Sequence, residues 1–388
     1  MSKLINRTYL DYNATAPLRP EARAALMAAL DIGNPSSVHE EGRKARALVE
    51  EARRDIADLV VAHPETVIFT SGGTEACNLA LSLRDAPNGK VARLLVSAIE
   101  HSAVLQAAKE TAKENGLSVS EIPVTAAGLV DVKALGALLE DDTPALVCVM
   151  LANNETGVIQ PIAEISRMVK AHGSLLFCDA VQAAGKTDIN MIGMGIDALA
   201  LSGHKLGAPM GIGALVTRPG LVVPPMLIGG GQELGRRAGS ENISGIAAFA
   251  AAAKASKAAL DAFQKLADLR DNMEAALQAA APDVQIFGAG EARLANTSCF
   301  ALDGLNSETL VMALDLAGIA VSAGSACSSG KVSRSHVLAA MGVETHISKG
   351  VLRVSLGWQS TAQDSEKLVE AWTKLARNKS QTPSEAAE

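Results

Sequence analysis

"CDAVQAAGK" (178–186) and "DALALSGHKLGAPMGIG" (197–213) decide the fold. In each stretch a short apolar run ends on polar chemistry. "LLFC" leads into Asp179, and "ALAL" leads into Ser202, with His204 and Lys205 directly after it. Apolar runs of this length without alternation suit strands buried on both faces, as in a mostly parallel sheet covered by helices. Polar groups at the carboxyl ends of such strands line the ligand crevice of an open α/β sheet. The two stretches therefore predict successive strands that carry an aspartate and a lysine to one crevice.

The pattern repeats outward over residues 20–217. "TVIFT" precedes a helical "TEACNLALSL", "ARLLVS" precedes "SAVLQAAKETAKEN", and "ALVCVMLA" precedes "IAEISRMVKAHG". The prediction is an α/β domain. A long Ala- and Lys-rich stretch from Ile243 to Ala281 reads as one helical bridge to a second unit built from "TSCFAL", "SETLVMALDLAG", "GVLRVSL" and "DSEKLVEAWTKLAR". The expected division is a large domain over 16–255, a smaller α+β domain from 1–15 and 256–377, and a polar, disordered tail over 378–388.

Composition narrows the class. A net charge of −7 and 3% aromatic residues argue against a nucleic-acid footprint. The first residues hold no apolar core of signal-peptide length, and Lys254 and Lys257 interrupt the longest Ala-rich run too soon for a bilayer span, so a cytoplasmic protein without a membrane is expected. Five cysteines with no C-x-x-C pair predict neither a disulfide framework nor an intrinsic metal site.

An aspartate and a lysine placed at a crevice in this way suit pyridoxal phosphate. The lysine condenses with the cofactor aldehyde, and the carboxylate keeps the pyridinium nitrogen protonated. "FTSGGTEACN" supplies an anion site: a strand ends at Thr70, the chain turns through Gly72 and Gly73, and Thr74 opens a helix whose backbone N–H groups can cradle a phosphate. Ser202 and His204 add side-chain donors to that phosphate. His101, just past another strand end, can stack on the ring and move protons. In "LANNETG", one amide of Asn153 or Asn154 can bind the cofactor oxygen or the substrate, and an Asx-type turn is the competing use of the same residues.

Taken together, "YLDYNATAPL", "GNPSSVH", "TSGGTEACN", "EHSAV", "NNETG", "SGHKLGAPMGIGAL", "GGGQE", "SAGSACSSGK" and "LRVSLGW" resemble the cysteine desulfurases of the class V aminotransferase family, in the nitrogen-fixation and iron–sulfur branch. The resemblance implies a fold-type-I pyridoxal-phosphate-dependent transferase. It implies Lys205 as the lysine joined to the cofactor, Asp179 as the pyridinium partner and His101 as the stacking acid–base group. Gly73, Thr74, Ser202 and His204 would hold the phosphate, Asn154 and Gln182 the ring oxygen, and Arg353 and Asn154 the substrate. It further implies a homodimer in which Ser240, standing where the family has threonine, reaches the partner's phosphate. The family's "TEANN" reads "TEACN" here, with Cys77 expected to be a packing residue.

Cys327 lies among glycines and serines, unlike Cys148, Cys178 and Cys299 in their apolar runs. The resemblance makes it the thiolate that takes sulfur from L-cysteine as a persulfide, leaves L-alanine, and hands the sulfur to an iron–sulfur scaffold or other acceptor protein. A transient cluster ligand shared with that scaffold is a further implied role, and His101 and Lys331 are candidates for favouring the thiolate. An aminotransferase, a selenocysteine lyase and a cofactor-holding scaffold without turnover are the competing readings, because one cofactor site serves many reactions.

Overall fold

The computed structural model describes residues 7–141, 143–324 and 334–379. Cys327 and Lys331 lie outside the described residues, as do residues 380–388 of the expected tail.

Seven strands form the central sheet: β1 (Val67–Thr70), β2 (Arg93–Ser97), β3 (Ser118–Ile122), β4 (Ala145–Cys148), β5 (Leu175–Asp179), β6 (Ala198–Ser202) and β7 (Gly213–Thr217). Their order is β1-β7-β6-β5-β4-β2-β3. All run in one direction except β7, which is antiparallel to both of its neighbours. Every residue of β4 through β7 is buried, which is why these strands are written as unbroken apolar runs. At the sheet edge β3 is largely exposed and reads "SVSEI". Apolar clusters cover both faces, as a doubly covered α/β sheet requires. The carboxyl ends of β1, β2, β4, β5 and β6 therefore share one rim. There the register pairs Asp179 with Ala200, so Asp179 and Ser202 leave the sheet at neighbouring points.

A second, antiparallel sheet holds β8 (Gln285–Ile286), β9 (Thr297–Ala301), β10 (Ser322–Ala323) and β11 (Leu352–Ser355) in the order β8-β9-β11-β10. Its core joins Phe300, Leu314, Leu352 and Trp372, with the Phe300 and Trp372 rings edge-on at 5.8 Å. The N-terminal segment forms a small two-stranded sheet of its own and touches the second sheet before it reaches the first. Thr8–Tyr9 pairs with Ile319–Ala320, Asp11 bridges to Ser355, and Asn13 then enters the crevice.

The helical bridge expected over 243–281 is three helices, Ile243–Ala258, Leu260–Gln264 and Leu266–Ala280, bent by 66°. The break follows from where each piece buries its apolar residues. The first packs Ile246, Phe249 and its alanines into the core of the large sheet, whereas Met273 and Leu277 of the last belong to the core of the second sheet. The final helix, Ala362–Lys379, runs past Arg377 into the stretch read as tail. Among the described residues no single helix is long and apolar enough to cross a membrane.

Candidate active site

A cavity of about 500 Å³ opens at the rim of the large sheet. Its lining brings together Lys205, Asp179, His101, Thr74, Asn154 and Arg353, together with Gly73, Gln182, Ser202 and His204. Asn13 and Cys77 also line it, and the sequence reading gave neither of them a role there.

Asp179 closes β5 and is buried at 7% exposure. Its Oδ1 accepts the Val181 N–H at 2.9 Å, and the Cys77 thiol donates to Oδ2 across 4.0 Å. Burial pushes the Asp179 carboxyl above the usual range; the Val181 N–H, His101 and Lys205 pull it back. Cys77 therefore does more than pack. It sits one turn into the helix Gly73–Leu81, on the side that meets the aspartate. Burial, Asp179 and Glu100 hold it well above the ordinary thiol range, so it stays an S–H donor. Glu100 is buried beside this pair, its Oε1 accepts the Met150 N–H at 2.5 Å, and its Oε2 has no partner. Burial and the Asp179 charge raise its pKa well above the usual carboxyl range.

Lys205 lies on the one-turn helix Gly203–Leu206 that follows β6. Gly207 ends that turn at φ +89°, where a Cβ would come within 2.7 Å of Arg19 and Trp358, so only glycine fits. Lys205 Nζ donates to the main-chain oxygens of Asn13 at 2.5 Å and Ala14 at 2.7 Å. His204 Nδ1 lies 3.2 Å from Thr15 Oγ1, and burial beside the Lys205 ammonium lowers its pKa to about 4, leaving a neutral imidazole.

The glycine turn forms the cradle expected of it. A Cβ on Gly73 would stand 3.0 Å from Val181 Cγ2 and 3.2 Å from Ser202 Cβ, so the turn packs closely there, and Gly73 and Thr74 both line the cavity. Glu75 secures the turn by accepting the Ser71 N–H at 2.7 Å and two bonds from Arg237, at 2.8 and 3.2 Å. Ser240 is exposed and lines a separate, neighbouring cavity, apart from the Lys205 site.

His101 is the N-cap of the helix Ser102–Asn115. Its Nδ1 accepts the Ala103 N–H at 3.1 Å, which puts the proton of the neutral ring on Nε2. The "NNETG" alternatives separate cleanly. Asn153 is the turn former, with Oδ1 accepting from Glu155 N and Thr156 N at 2.9 Å, while Asn154 faces the cavity. Arg353, which the sequence alone would leave at a surface strand end, is 2% exposed in β11. One arm reaches Asp11 Oδ1 at 2.8 Å and another Asn154 O at 3.2 Å, while its Nε–H is buried without a partner among the described residues. Its guanidinium lines the cavity, and a carboxylate is the ligand that such a group suits.

These groups define an enzyme crevice with a lysine amine, a buried carboxylate and an anion cradle. Residues 8–368 match the aminotransferase class-V family, and the chain belongs to it. It is 40% identical over 369 residues to a cysteine desulfurase from Cereibacter sphaeroides, covering 94% of this chain and 95% of that one. A solved NifS-like protein from Rickettsia africae superposes with a TM-score of 0.87 at 33% identity, over 96% of this chain and all of that one. A solved structure of SspA in complex with cysteine matches with a TM-score of 0.77 at 29% identity, over 90% of this chain and 98% of that one.

Proposed function

We propose that this chain is a pyridoxal-phosphate-dependent cysteine desulfurase, which converts L-cysteine to L-alanine and passes the sulfur, as a persulfide on Cys327, to an acceptor protein for iron–sulfur cluster assembly. The observation that carries the reading is the convergence of Lys205, Asp179 and Arg353 on one cavity. Pyridoxal phosphate, when bound, supplies an electron sink for an amino acid joined to its aldehyde. The N–H groups of the first helical turn after Gly73, with Thr74, Ser202 and His204, hold its phosphate. Asp179 would pair with its ring nitrogen, Asn154 and Gln182 would hold its ring oxygen, and Lys205 Nζ would be the amine that holds its aldehyde and the base that moves a proton at the substrate α-carbon.

The remaining residues act on the substrate. Arg353, whose guanidinium lines the cavity, takes the carboxylate and orients the side chain of the substrate cysteine. His101 Nε2–H faces the reacting atoms and moves protons there. The Cys327 thiolate attacks the substrate sulfur: an S–S bond forms, the C–S bond breaks, its electron pair stays on the carbon skeleton, and protonation completes alanine.

The same reading takes the protein as a homodimer. Ser240 is exposed outside its own cavity, and Met226, Leu227, Ile228 and Leu234 expose a run of apolar side chains nearby in sequence, as an interface would require. Cys77, Cys148, Cys178 and Cys299 are all free thiols, which suits work in the reducing cytoplasm.

The test is a single-turnover reaction with L-cysteine, following cofactor absorbance, alanine and sulfide, in wild type and Cys327→Ala. The expected variant changes its absorbance on binding cysteine yet releases neither product within the wild-type turnover time. Sulfur release at the wild-type rate would remove Cys327 from the chemistry and turn the reading to a direct-elimination lyase.

A further inference from the structure

The buried lysine at the end of "DAVQAAGK" has no part in the chemistry described so far. Lys186 is 5% exposed and does not line the Lys205 cavity; it lines a smaller pocket behind Lys205, beside Tyr12 and Trp358. Its Nζ donates to Asn13 Oδ1 at 2.7 Å and to Gln182 Oε1 at 2.8 Å. Both partners are neutral amides. Burial, with the Lys205 and Arg353 charges nearby, drives its pKa well below the ordinary lysine range. Two amide oxygens thus receive two of its N–H donors.

Those two bonds decide which way two amides point. An amide has a donor end and an acceptor end that differ little in shape, so the hydrogen-bond network alone selects the orientation. With Oε1 claimed by Lys186, Gln182 turns its NH₂ group to the other side, where one N–H reaches Asn13 O at 3.0 Å. The second N–H is left for the cavity that Gln182 lines. Asn13 is fixed in the same manner. Its Oδ1 also accepts from Asn296 at 3.1 Å, its Nδ2 donates to Thr297 Oγ1 at 2.9 Å, and its main-chain oxygen holds Lys205.

We infer that Lys186 is a positioning residue, which holds the Gln182 amide with its N–H toward the ring oxygen of the cofactor. This rests on the reading of Gln182 given above. Without Lys186 the Gln182 amide loses one of the two bonds that fix its orientation and keeps only the one to Asn13 O, and a flipped amide sets its oxygen against the ring oxygen, two acceptors facing each other.

The test uses the cofactor-loaded protein without substrate and follows the bound cofactor's absorbance against pH. A donated N–H favours the anionic ring oxygen, so losing it raises the apparent pKa, by about 0.5–1 unit for one hydrogen bond of ordinary strength. Gln182→Leu, Lys186→Met and the double variant are compared with wild type, and apoprotein melting temperatures check that each folds. Lys186→Leu, equally without donors, is a second variant should the Met variant fold poorly.

The expected result is an upward shift in both single variants, with the double variant no further shifted than Gln182→Leu alone. A Lys186→Met titration equal to wild type, alongside a shifted Gln182→Leu, overturns the inference and leaves the desulfurase reading standing. Additive shifts in the double variant overturn it as well, because Lys186 would then act by a route other than Gln182. If Gln182→Leu itself titrates as wild type, Gln182 does not touch the ring oxygen and the inference falls with that assignment.

Discussion

Two groups of side chains at the site differ: the amine wall, Asn13 with Gln182, Lys205 and, outside the cavity lining, Lys186, is joined by hydrogen bonds of 2.5–3.0 Å, whereas the acid wall, Asp179 at the cavity with Glu100 and Glu155 outside its lining, is defined by what burial does to its charges. Burial raises the pKa of all three acids, and Glu100 keeps one oxygen without a partner. The amine wall is thus complete without a ligand, and its function is to hold a geometry. On the acid wall, a cationic ring N–H would offset the burial that raises the Asp179 pKa and so favour its charged form.

The largest effect expected from this contrast is at Asp179. Asp179→Asn keeps the size and the hydrogen bond from Val181 but removes the charge that holds the ring nitrogen protonated. Turnover of cysteine should fall by about 10³-fold, equivalent to about 4 kcal/mol of barrier, with the cofactor still bound. A steady-state rate within tenfold of wild type would mean that the acid wall is not what makes the ring an electron sink.

Glu155 gives the second effect, on stability. It is fully buried; its Oε2 accepts the Ser335 hydroxyl at 2.6 Å, and Arg353 and His101 add favourable charge. Burial still wins, raising its pKa from 4.5 to about 7. A carboxyl with a raised folded pKa binds its proton more tightly in the folded state. The stabilisation is complete below pH 4.5 and is lost as pH rises through 7. A rise of that size corresponds to about 3 kcal/mol. Urea unfolding of wild type should therefore weaken between pH 5 and 8, and Glu155→Gln should flatten that slope. An unchanged slope in the variant would show that Glu155 does not titrate in this window.

How much of the fold and the site is legible in the sequence depends on how local the cause is. Asp179, Ser202, Lys205, His101 and the glycine cradle follow from one rule, that buried strands end at the crevice, and each is legible within a few residues of its own strand. Arg353 is not, because its burial comes from pairing with Cys299 and Ser322, residues of strands that only the folded second sheet brings together. Asn13 and Lys186 escape for the same reason: the N-terminal segment must first pair with Ile319–Ala320 before Asn13 can meet Gln182. The break at Ala259 is hidden by high helix propensity on both sides of it; the need to serve two cores, not local preference, bends the chain there. Asn153 and Asn154 cannot be told apart from sequence, since the turn needs one amide and the cavity the other.

Cys77 offers the finest adjustment of the contrast between the walls. The related motif carries asparagine where this chain has cysteine, and a thiol is a weak donor whose bond to Asp179 Oδ2 spans 4.0 Å. An amide N–H at that position would give Asp179 a stronger partner, of the kind that already joins the amine wall. Cys77→Asn should therefore lower the Asp179 pKa by a few tenths of a unit to about one unit, the worth of one ordinary hydrogen bond. Cys77→Ala, which removes the weak donor, should leave that pKa at the wild-type value or slightly above it. Carboxyl ¹³C titration of the apoprotein reads this directly, with Asp179→Asn identifying the resonance. If Asn and Ala at position 77 give the same titration, the residue beside the carboxylate does not set its charge, and burial alone makes the acid wall what it is.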